Sequence, residues 1–323
     1  MSKFNKKKLF LIIMVLSCLM VMSSSSWLSI WMGMEFNLMA NIPFLFKNKS
    51  KNLSEKIMIY LLIQVMGSII MLLVVLTKNM IINMELNLIM TMSMMIKLGL
   101  PPFHLWMPEM LNKLNWNTMM VMVTIQKINP LIVMSQLTTQ NLLTPVMMIL
   151  AASIGSISGI NQLSLNKIIT FSSINHMSWI IMNMMMTSNM WIKFFVIYSL
   201  INISMCTMFK KMGAFFINQL SVNSTTYMKM MLFIMMMNMG GMPPCPGFML
   251  KWVTLEFMTE SNMYLIMTIM MFSSMVAMLF YMRTMYLNMM ASSLNIKFKI
   301  SKFNKNMKIV FLTNMILPMM ILI

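Results

Sequence analysis

Five ionisable side chains lie inside long apolar segments of this sequence: Glu35, Lys97, Lys127, His176 and Lys251. A lysine near the centre of a bilayer costs about 2.5–3.5 kcal/mol on insertion scales, so such residues are uncommon in membrane spans. Those that do occur usually line a pathway for protons or ions. The types and depths of these five side chains therefore predict a buried proton relay.

Lysine and glutamate suit a relay because their surroundings decide which protonation state is favoured. Desolvation favours the neutral amine of a buried lysine, whereas a nearby carboxylate favours the ammonium. A change in the distance between Glu35 and Lys97 would then move a proton onto or off the lysine. A histidine side chain ordinarily changes charge near neutrality, so His176 could pass a proton on. A salt bridge that joins two helices is the structural alternative for Glu35, although intramembrane ionisable groups usually serve transport. A neutral His176 hydrogen-bonded between helices would explain that residue equally well.

Two of the lysines adjoin matching helix-breaking motifs. A Gly-x-Pro-Pro sequence occupies 99–102, just after Lys97, and a second occupies 241–244, within ten residues of Lys251. Proline removes a backbone donor and clashes with the preceding turn, so each segment should divide into two half-helices. Irregular backbone at membrane depth is tolerated only beside protein or water. We therefore expect both lysines to face hydrated cavities.

The composition requires a membrane protein around these residues. Of the 323 residues 59% are hydrophobic and 9% are charged, against roughly 25% charged in a soluble domain. The apolar runs lack the alternation of a membrane barrel, so we predict an all-α, polytopic fold. The 57 methionines are spread through the spans, which favours apolar filler over thioether ligands for copper. No metal site is predicted.

The apolar segments define a single transmembrane domain, 1–323, of about eleven helices. The two broken segments are the fourth and ninth helices, so they would run in opposite directions, as in the inverted repeats of transporters. Amino-terminal helices at about 9–46 would precede a first repeat at about 57–187 and a second at about 190–322. The predicted helices are 9–24, 25–46, 57–77, 82–112, 117–138, 144–161, 167–187, 190–210, 227–258, 262–287 and 307–322.

The basic residues test this map, because lysine and arginine concentrate on the inner side of a membrane. Nineteen fall on one face, among them Arg283 and a Lys229 that we expect to be solvated, and two, Lys78 and Lys193, fall on the other. The basic face should be the matrix or cytoplasmic side, with the amino terminus inside and the carboxyl terminus outside. The net charge of +18 then reflects topology and anionic lipid, and we predict no nucleic-acid partner.

Four stretches of the sequence carry a resemblance that extends over essentially the whole chain. They are KLGLPPFHLWMPE at 97–109, Gln126-Lys127, SSINHM at 172–177 and the run from 240 to 252. In these stretches the sequence resembles the antiporter-like membrane subunits of respiratory complex I, in particular the shortened animal form of the mitochondrial chain 2 family. It departs from them at Asn175 and Ser178, where the family usually has small Ala and Gly, and at the unusual Cys245-Pro246 step.

The resemblance implies a role for each buried charge. Glu35 looks like the channel-entry glutamate, Lys97 its paired lysine, Lys127 the central relay lysine and Lys251 the exit-side lysine. Protons would then move through this chain while redox chemistry proceeds in other subunits of NADH:ubiquinone oxidoreductase.

The same resemblance implies a setting in the mitochondrial inner membrane, beside other membrane-arm subunits of complex I. NADH, FMN, iron–sulfur clusters and ubiquinone are expected in the complex. This chain has no dinucleotide fingerprint and no cluster-ligand cysteine spacing, so we expect no cofactor in it. A stand-alone cation/proton antiporter, or a structural scaffold with vestigial charges, are the alternative functions.

Overall fold

The computed structural model describes residues 3–46, 51–77, 83–137, 143–186, 190–222, 226–243 and 245–290. Within these ranges the chain is helical, and the one β-bridge, between Ser164 and Phe216, belongs to no strand. The predicted all-α fold is therefore confirmed. The helices are α1 Lys3–Ser23, α2 Trp27–Leu45, α3 Lys51–Thr77, α4 Asn83–Leu98, α5 Trp106–Leu111, α6 Trp116–Val123, α7 Ile125–Leu137, α8 Leu143–Ile160, α9 Leu165–Met186, α10 Met190–Met212, α11 Ile217–Val222, α12 Thr226–Gly240, α13 Pro246–Glu260 and α14 Tyr264–Met290.

The helices group into two compact units, Met1–Met147 and Met148–Ile323. In the first unit α2 packs on α1 and α3, and α4 packs on α3 and α7. In the second unit α9 packs on α10, α13 and α14, and α12 packs on α10, α13 and α14. This grouping reflects contacts between helices, so the predicted repeats at 57–187 and 190–322 stay a prediction.

The spans agree with a multi-pass membrane protein. In the described part of the chain, five segments are long and apolar enough to cross a membrane: Lys51–Thr77, Trp116–Leu137, Leu143–Ile160, Met190–Met212 and Tyr264–Met289. Ten of the eleven predicted helices coincide with one described helix or with a pair of half-helices. The eleventh, 307–322, and the basic residue Lys78 lie outside the described residues.

The division between the first two helices, at a run of four serines, is confirmed by a helix cap. Helix α1 ends at Ser23 and α2 begins at Trp27. The hydroxyl of Ser26 accepts a hydrogen bond from the backbone N–H of Ser29 at 3.3 Å, which satisfies one of the donors that a helix start leaves free. Serine is therefore what separates two helices in a segment without proline.

Both predicted breaks are present, and the two half-helices before them end in similar ways. Helix α4 ends ahead of Gly99, which takes the left-handed conformation at φ +67°, and the N–H of Leu100 bonds back to Met95 O at 3.0 Å. Helix α12 ends ahead of Gly241, at φ +78°, and the N–H of Met242 bonds back to Met237 O at 3.3 Å. Glycine adopts this conformation without steric cost, so the first residue of each Gly-x-Pro-Pro motif is what terminates its helix.

A further interruption, which the sequence did not lead us to predict, divides the segment 117–138. Thr124 separates α6 from α7 with φ −113° and ψ −78°, three residues before Lys127. Its hydroxyl donates to Met120 O at 2.7 Å, a local bond that competes with the helical ladder and bends helices. The N–H of Lys127 then bonds to Thr124 O at 3.1 Å, in a tighter turn.

Contacts within each unit join segments that we predicted on the basic face. In the first unit Lys56 forms an ion pair with Glu109 of α5. In the second unit the guanidinium of Arg283 donates to the carbonyls of Ile160 and Gln162, where the end of α8 leaves acceptors free and the helix dipole favours a cation. The chain between α8 and α9 also pairs with the chain between α10 and α11, through Leu165 N–H to Phe215 O at 2.9 Å.

One predicted surface position is wrong. Lys229 was expected to be solvated at the basic face, but its side chain is 4% exposed. It belongs to the first turn of α12, a helix that packs against both α10 and α14. Lys229 is therefore buried and is not a solvated surface lysine.

Candidate functional site

Lys97 lies in the last turn of α4, at the first break. Its stem runs past Gly67 of α3, where an added Cβ would lie 3.1 Å from Lys97 Cγ. Its ammonium Nζ is 3.2 Å from the Met34 sulfur, and its own backbone carbonyl accepts a hydrogen bond from Gln64 Nε2 at 3.2 Å. Helix α3 therefore holds the end of the broken helix, while the charge of Lys97 faces α2.

Glu35, the predicted partner of Lys97, follows Met34 on α2 and is half-buried. Its Oε1 is buried and accepts no hydrogen bond from the part of the chain that the structure describes. The carboxylate is near enough to act electrostatically on the Lys97 ammonium, yet the two form no ion pair. The structure thus brings the predicted pair together in an open arrangement, with the Met34 sulfur in contact with the lysine.

Lys127 is the most deeply buried of the three charges in the first unit, with 3% of its side chain exposed. Among the described residues its Nζ has no hydrogen-bond partner. A cavity of about 20 Å³ is lined by both Lys127 and Lys97, and a space of that size holds about one water molecule. The other polar or aromatic side chains in its wall are Tyr60, Gln64, Trp106 and Gln126.

A second cavity, also of about 20 Å³, adjoins Lys97 and is lined by Met34 of α2. Its wall shares Tyr60, Gln64, Lys97 and Gln126 with the first cavity. Lys97 and Gln126 therefore belong to two neighbouring water-sized spaces, one beside the Glu35 segment and the other beside Lys127. This is an arrangement through which bound water could connect the three charges.

Uncharged polar side chains form much of these walls, and our sequence reasoning did not single them out. Gln126 Nε2 donates to Asn37 Oδ1 at 3.0 Å, and Asn41 Nδ2 donates to the hydroxyl of Tyr60 at 2.8 Å. A sequence signal for them does exist, because Asn37 and Asn41, like Tyr60 and Gln64, are spaced four apart and so share one face of an otherwise apolar helix.

Lys251 lies in α13, after the second break, and is 5% exposed. Its Nζ donates to the carbonyl of Gly240 at 3.1 Å, and it lies 6.0 Å from the ring centre of Trp179. The last carbonyls of a helix lack partners inside that helix and carry its negative dipole end, so an ammonium is favourable there. Lys251 therefore links the two half-helices across their break.

The two half-helices also approach each other closely at Gly247. An added Cβ on this glycine would lie 1.9 Å from the carbonyl oxygen of Asn238, a distance that no real side chain tolerates. The absence of a side chain at Gly247 therefore lets α13 begin directly against the last turn of α12. This close approach places Lys251 within reach of Gly240.

His176 lies mid-way along α9 and is 6% exposed. Its ring centre is 5.4 Å from that of Tyr198 on α10, with the planes tilted by 47°. Trp179, which faces Lys251, follows three residues later on the same helix, so both lie on one side of α9. The five predicted residues thus fall into two groups: Glu35, Lys97 and Lys127 in the first unit, and His176 and Lys251 in the second.

No group of three or more His, Cys, Asp or Glu side chains that could hold a metal ion occurs among the described residues. The first group combines proton-carrying side chains with two water-sized cavities, and the second group brings together His176, Tyr198, Trp179 and Lys251.

Comparison with known proteins decides the family. The family model for the transmembrane part of NADH:quinone oxidoreductases and Mrp antiporters matches residues 73–277. NADH-ubiquinone oxidoreductase chain 2 of Anopheles gambiae is 35% identical over 289 residues, which cover 86% of this chain and 84% of the relative. The Bos taurus chain 2 is 32% identical over 324 residues, which cover 95% of this chain and 93% of that relative.

The chain belongs to the NADH-ubiquinone oxidoreductase chain 2 family.

Solved structures agree on the fold of this family member. A chain of respiratory complex I from Thermus thermophilus superposes with a TM-score of 0.82 at 14% identity and covers 98% of this chain and 77% of that chain. A chain of the Mrp complex from Dietzia sp. DQ12-45-1b superposes with a TM-score of 0.79 at 11% identity. The match covers 91% of this chain and 62% of that chain. At these identities the likeness shows the fold alone.

Proposed function

We propose that this chain is a proton-translocating core subunit of NADH:ubiquinone oxidoreductase, driven by redox chemistry in other subunits. Membership in the chain 2 family supports the assignment to NADH:ubiquinone oxidoreductase. The buried ionisable residues support the role in proton movement. The observation that carries the proposal is the cavity lined by both Lys97 and Lys127. Two lysines on one water-sized space at membrane depth can exchange a proton without either side chain reaching bulk solvent.

The proposed first step is proton loading at the Glu35–Lys97 pair. When the carboxylate approaches the ammonium, their attraction favours the charged lysine; when they separate, burial favours the neutral amine. The proton released by Lys97 passes through water in the shared cavity to Lys127. Because like charges at close range disfavour each other, a newly charged Lys97 would in turn favour release of a proton from Lys127.

The proposed second group acts in the same way in the other unit. His176 and Lys251 are both buried on the α9 side of the broken helix α12–α13 and would carry protons toward the outer face. The proposed movement of protons uses no redox group in this chain. NADH, FMN, iron–sulfur clusters and ubiquinone would be bound by other subunits, which are also the expected neighbours of this chain in the membrane arm.

The proposed setting is the mitochondrial inner membrane, with the amino terminus on the matrix side and the carboxyl terminus on the intermembrane-space side. The supporting observation is the nineteen-to-two asymmetry of basic residues on the predicted map. Anionic lipid is the expected partner of the basic face.

A substitution of Lys127 tests the proposal directly. Lys127→Met should slow proton transfer through this chain by roughly 10²-fold, the usual contribution of a proton-transferring group to a rate. In the assembled complex in sealed vesicles, proton uptake per NADH oxidised should therefore fall. Lys113→Met is the matched control, because Lys113 is an exposed lysine of the same unit. Equal proton uptake by the two variants, with assembly confirmed, would contradict the relay.

The alternative of a stand-alone cation/proton antiporter predicts a different behaviour on purification. A complex I subunit should remain with a very large assembly in mild detergent, whereas a stand-alone antiporter should separate from it and exchange cations alone. The scaffold alternative predicts that the buried lysines tolerate methionine, so Lys127→Met separates this alternative from the relay.

A further inference from the structure

Two buried tyrosines lie near His176 and Lys251, the second group of relay residues. Neither tyrosine has a role in the function proposed above. Tyr198 of α10 is 2% exposed and Tyr281 of α14 is 3% exposed. Among the described residues, the hydroxyl of each has no hydrogen-bond partner of good geometry. A buried hydroxyl without a partner is unfavourable, so a site that needed only an aromatic ring would be better filled by phenylalanine.

The contacts of the tyrosines connect the surroundings of His176 to those of Lys251. The ring of Tyr198 lies 5.4 Å from that of His176. Tyr281 packs on Gly240, where an added Cβ would lie 3.7 Å from its ring carbon Cδ2. Gly240 is also the residue whose carbonyl accepts the Lys251 ammonium at 3.1 Å. One tyrosine therefore adjoins the histidine, and the other adjoins the glycine that holds the lysine.

The two tyrosines are also close to each other and to hydroxyl groups of α9. Tyr281 is near enough to Tyr198 to interact with it electrostatically. Ser173 lies beside Tyr198 and Ser172 beside Tyr281, and each serine donates its own proton to a backbone carbonyl, at 2.7 and 2.8 Å. The lone pairs of the serine oxygens thereby remain available as acceptors. Four hydroxyl groups thus cluster between α9, α10 and α14.

We propose that Tyr198 and Tyr281 carry protons between His176 and Lys251. Each phenol would release its proton to the next acceptor as it takes one from the preceding donor, so one O–H bond breaks while another forms and the phenol ends neutral. A serine hydroxyl or a water molecule would close the gaps. When a proton moves from His176 to Lys251, the imidazole loses one proton and the Lys251 amine becomes an ammonium. When it moves the other way, the ammonium becomes an amine and the imidazole gains the proton. This proposal rests on the proton-pumping function proposed above.

Removing only the two hydroxyls tests the proposal. Tyr198→Phe and Tyr281→Phe keep the aromatic ring and its packing, so assembly and NADH oxidation with an artificial electron acceptor should be unchanged. Proton uptake per NADH oxidised should fall by at least several-fold in each variant. The matched control is Tyr286→Phe, because Tyr286 lies on the same helix as Tyr281 and is 60% exposed. Tyr198→His and Tyr281→His, which restore a proton-carrying group, should recover part of the uptake and shift its pH profile.

The outcomes separate this proposal from the function on which it rests. Lys251→Met is measured in the same preparation as a reference for the relay. If Lys251→Met loses proton uptake while both phenylalanine variants behave like Tyr286→Phe, the tyrosine proposal is wrong and the relay stands. If Lys251→Met pumps normally, the relay itself is wrong and the tyrosine proposal fails with it. Loss in the phenylalanine variants without recovery in the histidine variants would show that the hydroxyls support the structure without carrying protons, and would also overturn the proposal.

Discussion

The two broken helices end in the same way but carry their lysines on opposite sides of the break. In the first, Lys97 belongs to the half-helix that ends at the break, and its ammonium lies on the Met34 sulfur. In the second, Lys251 belongs to the half-helix that begins after the break, and its ammonium is bonded to the carbonyl of Gly240. The free carbonyl at the first break is instead satisfied by Gln64, from a neighbouring helix.

This difference shows how one local motif can serve two purposes. A thioether is a weak acceptor, so Lys97 loses little when its ammonium leaves Met34 for Glu35. A hydrogen bond from a charged group to a carbonyl contributes roughly 1.5–3 kcal/mol, and the helix dipole adds to it, so Lys251 is held more firmly. We infer that the first break is suited to loading a proton onto a movable lysine, whereas the second uses its lysine to join two half-helices as well as to carry charge.

The largest effect is expected at the second break, from Lys251→Met. This change removes both a relay group and the bond across the break, so proton transfer through the chain should slow by roughly 10²-fold and the chain should lose stability by about 2 kcal/mol. Proton uptake per NADH and the thermal midpoint of the assembled complex measure the two effects. Lys113→Met is the control, because Lys113 is an exposed lysine. If Lys251→Met lost no more proton uptake and no more stability than Lys113→Met, Lys251 would neither carry protons nor join the half-helices.

A smaller effect, on stability alone, is expected from a methyl group between the half-helices. Gly247→Ala places Cβ 1.9 Å from Asn238 O, and overpacking of this kind costs about 1–3 kcal/mol or more. Gly240→Ala is the matched control at the same break, because its Cβ would meet nothing closer than 3.7 Å. Thermal unfolding of the two variants, followed side by side, should show a lower midpoint for Gly247→Ala. Identical midpoints would mean that the close approach of α12 and α13 is not required.

The smallest effect is expected at the first break, from Gln64→Leu. Loss of the donor to the Lys97 carbonyl should lower stability by about 1 kcal/mol and reduce proton uptake only a few-fold, because the ammonium itself is untouched. Ser54→Ala serves as the control on the same helix, since the Ser54 hydroxyl also donates to a backbone carbonyl, that of Lys51 at 2.7 Å, but at an exposed position. A loss of uptake as large as that of Lys251→Met would show that Gln64 belongs to the relay itself.

Much of the fold could be predicted because its signals are local. Glycine and proline act on the backbone at their own positions, which is why both breaks were predicted at the correct residues. The run of serines likewise marked a helix start through the cap at Ser26. The interruption at Thr124 was missed because threonine is common inside helices, and whether its hydroxyl bends one depends on the surroundings.

The candidate site was predictable in part for the same reason. Charges at membrane depth are visible in the sequence, so all five predicted residues are found in buried or half-buried surroundings. Which of them share a cavity depends on how separate helices pack, and this is not written in the spacing of any one segment. The open geometry of Glu35 and Lys97, and the burial of Lys229, are tertiary outcomes of this kind.

The central claim is that Glu35 and Lys97 act as one proton-loading pair at the first break. A double-mutant cycle on the rate of proton uptake, with Glu35→Gln, Lys97→Met and both together, measures their coupling directly. Each single change leaves the other group buried without its electrostatic partner, so the double variant should lose less than the two single losses combined. A coupling of about 1 kcal/mol or more is expected for charges in such a site. Strict additivity would contradict the account and leave Glu35 as a residue that only holds helices together.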